Sequence, residues 1–137
     1  MSSFRQRLRQ LVRRIVDEPN AHLLSEDAQS QAIQLLKQHL TPEQREQYEK
    51  RSYFYVSGGD SGRVYRIRHG VQMNVEQLDQ GGKRVRMLCF MPEGGLAVGD
   101  VMLAQKIALE TDEKGALALA NRFPPATHSE HFYRRPF

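Results

Sequence analysis

The chain has 137 residues, 39% apolar and 26% charged, with a formal net charge of +4 and one cysteine. That length and balance fit a single globular domain with its own core and argue against wholesale disorder. The lone Cys89 excludes an internal disulfide, so a disulfide-built secreted domain is set aside and a reducing, cytoplasmic setting is expected. No apolar run reaches the roughly 20 residues that a membrane-spanning helix needs.

The first predicted element is a helix over 3–16, with Phe4, Leu8, Leu11, Val12 and Ile15 at helical spacing. Arg5, Arg9 and Arg13 flank that stripe on one side, Arg7 and Arg14 on the other, with no acid before Asp17. Such a segment suits an anionic partner, reads like an organellar transit peptide, or is an ordinary surface helix whose arginine stems cover its apolar edge. Pro19 ends it. Ser25 is expected to cap a second helix, with Ala28, Ala32, Leu35 and Leu36 as its buried stripe. Thr41-Pro42-Glu43-Gln44 signals a third: threonine cap, proline in the first turn, and glutamine closing a capping box.

From Tyr53 the period changes to two. Strands are predicted over 53–56, 63–68, 71–76 and 83–91, separated by Gly58-Gly59-Asp60-Ser61-Gly62, His69-Gly70 and Asp79-Gln80-Gly81-Gly82. Turns this short favour an antiparallel meander. Asp100 is expected to cap a helix over 101–110 that is apolar nearly all round, and Thr111 to cap a last one. The fold class is α+β. Residues 1–50 form a helical N-terminal segment, 51–123 a four-stranded antiparallel meander packed on the helix from Val101, and 124–137 a polar, proline-interrupted tail.

Strict alternation places Arg66 and Arg68 on one face of their strand, and Arg84 and Arg86 on one face of theirs, with Val85 and Met87 opposite. If the polar faces coincide, four arginines share a sheet surface with Tyr53 or Tyr55, the mixture of charge and rings that binds single-stranded nucleic acid. The plainer reading is a wet sheet face on which arginine is a common resident.

No residue set points to catalysis, a metal or a cofactor. His128 and His131 have ligand-like spacing but lie in the tail, His39 is expected to pack within an apolar stripe, and Cys89 to fill a small core position. The glycine turn at 58–62 lacks the lysine and following hydroxyl of a phosphate loop.

The run Tyr65-Arg66-Ile67, Asn74-Val75, Leu88-Cys89-Phe90, Gly99-Asp100 and Leu103-Ala104-Gln105-Lys106, within 63–121, resembles a set of small bacterial and phage proteins. Its strand–strand–helix order is also similar to the SWIM-type zinc module, a family implicated in binding DNA or protein. Three cysteines and a histidine hold the metal there. Here Asn74-Val75 stand near the paired cysteines' place, Cys89 is alone and the following helix has no histidine, so zinc does not carry over.

The sequence thus implies a small non-catalytic binding module for nucleic acid or a protein partner, acting through the basic first helix and the sheet, with a homodimer compatible. The competing reading is an enzyme or a protein inhibitor, of phage origin for instance, whose site is assembled from scattered residues.

Overall fold

The computed structural model describes residues 26–90 and 96–123. The helix predicted over 3–16 with Arg5, Arg9 and Arg13, the Ser25 cap, and the tail from Pro124 with His128 and His131 all lie outside the described residues.

Two helices come first: α1 over Glu26–His39 and α2 over Pro42–Arg51. Four strands follow: β1 (Tyr53–Ser57), β2 (Val64–Arg68), β3 (Val75–Leu78) and β4 (Arg84–Cys89). Helices α3 (Val98–Thr111) and α4 (Glu113–Leu119) come next, and a short strand, β5 (Asn121–Phe123), extends the meander beyond the four strands expected. The sheet runs β1-β2-β3-β4-β5, antiparallel throughout. The α+β reading holds, with α3 at its centre.

Local chemistry explains α2 fully. The Thr41 hydroxyl accepts the Gln44 N–H at 3.1 Å, and the Gln44 side chain accepts the Thr41 N–H at 3.1 Å. Gln44 then does a second job: its amide donates to the Tyr55 carbonyl at 2.8 Å, while Gln47 accepts the Tyr55 N–H at 3.0 Å. Two side chains thereby occupy the backbone of β1 on the edge facing away from β2.

One sheet face carries Phe54, Val56, Tyr65, Ile67, Val75 and Leu88 into a core shared with Leu36, Leu40, Tyr48, Met102, Leu103, Ala108 and Leu109. Helix α3 is buried on most of its circumference, Gln105 and Lys106 included. Both of its sides are covered by the chain's own core: Met102 and Leu109 are fully buried, and α1 crosses it closely. At that crossing a side chain on Gly99 would put its Cβ 2.3 Å from the Ala32 carbonyl oxygen, so the residue is glycine because a backbone occupies the space.

Several expectations need correction. Leu35 is exposed, and Leu40 is buried in its stead. His39 is exposed as well, its Nδ1 2.9 Å from the Leu35 carbonyl oxygen. Strand β3 starts at Val75 rather than Val71, because Met73 takes a left-handed φ of 51° that pleated backbone cannot use. Asn74 ends that loop, bonding the Arg68 carbonyl and pairing reciprocally with Gln105 at 2.7 and 3.0 Å. Helix α3 begins three residues early, with Ala97 at its N-cap position and Asp100 in its first turn. Asp112, not Thr111, caps α4, accepting the Gly115 N–H, while the Thr111 hydroxyl turns back to the Ile107 carbonyl.

Candidate nucleic-acid interface

The sheet face opposite the helices is where the site forms. Tyr53 pairs with Arg68 and Tyr55 with Arg66 across β1 and β2, so all four side chains stand on one side. Arg66 pairs in turn with Glu76 on β3. Glu76 has no exposed side-chain surface and gathers three guanidinium groups. Arg66 binds it through two nitrogens, at 2.9 and 3.1 Å. Arg68 donates Nε to the same carboxylate, and Arg84 reaches it at 3.4 Å. Burial alone would raise the Glu76 pKa, but the hydrogen bonds from Arg66 and Arg68 outweigh it and hold the carboxyl below its usual range.

The tyrosines complete the face. Their rings meet edge to face with centroids 5.5 Å apart, and the Arg66 and Arg68 guanidiniums lie 5.2 and 5.8 Å from the Tyr53 ring centre. The result is a hydrogen-bonded cluster of three arginines, two phenols and one carboxylate on one sheet face. Arg66 and Arg84 keep about a fifth of their side-chain surface in solvent and Arg68 a third.

Arg86 is not part of it. Between Gln77 and Leu78 the β3–β4 register slips: Gln77 faces Arg86 but Leu78 faces Arg84. This bulge puts Arg84 on the Glu76 side and Arg86 on the helix side, paired with Gln77 and close enough to Tyr65 for its charge to bear on that phenol. The alternation that grouped Arg84 with Arg86 fails at that one irregularity. Met87, expected opposite the arginines with Val85, pairs with Glu76 instead and is buried, while Val85 is exposed.

A second buried carboxylate, missed in the sequence, organises the turn after β1. Glu113, 2% exposed, accepts the Asp60 and Ser61 N–H groups at 3.1 and 2.8 Å and the Ser61 and Tyr65 hydroxyls at 2.6 Å each. Burial opposes its ionisation, yet these bonds, led by the Ser61 hydroxyl, keep its pKa lowered; Tyr65 is pushed up, by burial first and by Glu113 next. A side chain on Gly59 would strike the Glu110 carbonyl at 2.1 Å, so the turn is held against the end of α3. A protein carboxylate fills this nest of N–H groups, which makes it a structural clamp.

Other chemistry is sparse. A groove of about 460 Å³ beside α2 is lined by Thr41, Glu43, Gln44, Gln47, Tyr55 and Glu110, two of whose amides already serve β1. Cys89 is half-buried on β4. Among the described residues no three His, Cys, Asp or Glu side chains gather as a metal site would need, and no helix is long and apolar enough to cross a membrane. Compared with known proteins, the chain matches no family model, no curated protein and no solved structure.

Proposed function

We propose that this protein is a small binding module for single-stranded nucleic acid, working through the sheet face that carries Tyr53, Tyr55, Arg66, Arg68 and Arg84. One observation carries the reading. Three guanidiniums and two phenol rings share a single face around Glu76, which sets cationic groups beside stacking surface. Phosphates supply sequence-independent affinity to such a face, and unpaired bases stack on its rings. The rigid salt-bridge network favours this use, since the cations are ordered before the ligand arrives and little is lost in fixing them. A single cysteine fits work in a reducing compartment such as the cytoplasm.

Fluorescence anisotropy with a labelled single-stranded oligonucleotide tests the proposal. Engagement of about three phosphates gives a log–log salt slope near −2. Tyr55→Leu keeps the half-buried bulk but removes the aromatic face, and should weaken binding by about 1–3 kcal/mol. If neither DNA nor RNA binds at 20 mM salt, the reading is wrong, and a protein partner becomes the one to seek.

A further inference from the structure

One more guanidinium reaches this face from outside the sheet. Arg51 is the last residue of α2, and Ser52 follows in the left-handed conformation at φ 60°, so the chain reverses at once into Tyr53. The reversal lays Arg51 beside β1, where its Nη1 donates to the Tyr53 hydroxyl oxygen at 3.1 Å. A cation at a helix C-terminus is favourable by the helix dipole, which accounts for a basic residue here but neutralises little of its charge. Arg66, Arg68 and Arg84 converge on Glu76, whereas Arg51 is exposed and, among the described residues, forms no ion pair with a carboxylate.

The phenol beside it is primed in the same direction. The Tyr53 oxygen accepts from Arg51, and that bond above all holds its pKa below the usual phenol value. With its oxygen accepting, Tyr53 has its own proton left to give outward, and the Arg66 and Arg68 planes fix its ring. We propose that Arg51 and the Tyr53 hydroxyl form an anchoring point for one backbone phosphate at the α2–β1 corner, fixing where a single strand enters the sheet face. This rests on the nucleic-acid reading above and adds to it a residue and a position.

The test compares Arg51→Gln, Tyr53→Phe and Arg45→Gln with the unaltered protein, in salt titrations against one oligonucleotide. Arg45 is an exposed cation earlier on α2, bonded to the Lys37 carbonyl, and controls for the loss of one charge anywhere on the helix. Arg51→Gln should flatten the salt slope by about 0.7 and lower affinity about eightfold at 50 mM salt, one single-strand phosphate contact's worth of released counterion. Tyr53→Phe should lower affinity while leaving the slope unchanged, because it removes a donor and no charge. Arg45→Gln should move the slope far less than Arg51→Gln. If the unaltered protein binds but Arg51→Gln and Arg45→Gln behave alike, the anchor is wrong and the sheet-face reading stands. If the unaltered protein does not bind, the sheet-face reading has failed first.

Discussion

Glu76 and Glu113 show how much depends on two side chains. Each is a buried carboxylate whose pKa lies below the ordinary 4.5, because cations or donors surround it. A group with a depressed folded-state pKa contributes stability that is complete above its unfolded value and is lost as pH falls through the folded one. Thermal melts should therefore be level from neutrality to about pH 5 and fall below about pH 4.5 as both carboxyls are protonated. Glu76→Gln should cost about 3 kcal/mol at pH 7, by leaving three arginines without their common counter-charge. It should also reduce the acid-dependent part of the loss; an unaltered pH profile in that variant would refute the assignment. Neither role was legible in the sequence. Glu76 is one polar member of an alternating strand, and Glu113 drew no reading at all, since nothing local marks a contact 52 residues away with Ser61.

At the scale of elements, what was legible was what is locally encoded. The α2 capping box lies within four consecutive residues and could be read with its partners. The Gly58–Gly62 and Asp79–Gly82 turns were visible for the same reason, and they gave the meander. The β3–β4 bulge was not, because a slip of one residue leaves no compositional mark yet moves Arg86 to the opposite face. The start of β3 failed similarly: Val71 and Met73 keep the alternation, but Asn74 has tertiary bonds to Arg68 and Gln105 that fix a different backbone. The α1–α3 crossing supplies a test of such a hidden constraint. In an open helix, replacing glycine by alanine gains about 1 kcal/mol. At Gly99 the added Cβ meets backbone at 2.3 Å, and forcing the helices apart costs about 1–3 kcal/mol or more. The clash should win, so Gly99→Ala should lower the urea midpoint; a raised midpoint would show that α1 yields freely.

For the molecule as a whole, the two sheet faces divide the work. Helices α1 and α3 cover one face with an apolar core that buries Met102 and Leu109 completely, so the opposite sides of α3 need neither a second subunit nor a ligand to explain them. The other face gathers Arg66, Arg68 and Arg84 around Glu76, with Met87 and Leu78 buried beside them. The sequence anticipated that division, and Arg66, Arg68, Tyr53 and Tyr55 fell on the expected side. What it assigned to the first helix, Arg5, Arg9 and Arg13, stands outside the described residues and has no place in the sheet-face argument.

The glutamines of α2 bear on a hazard every open sheet faces. A strand with vacant N–H and C=O groups is a template on which another copy can polymerise. Here β5 limits one end of the sheet to three residues, and at the other Gln44 and Gln47 occupy the Tyr55 amide that an incoming strand would use. Their companions on β1, Tyr53-Phe54-Tyr55-Val56, form an uncharged aromatic and β-branched run of the kind that stacks into fibrils once uncovered. The two amides therefore guard that edge position of β1. Gln44→Ala with Gln47→Ala should shorten the lag of thioflavin-positive assembly under agitation at neutral pH while the fold persists by circular dichroism. An unchanged lag would mean that the edge is guarded by something else.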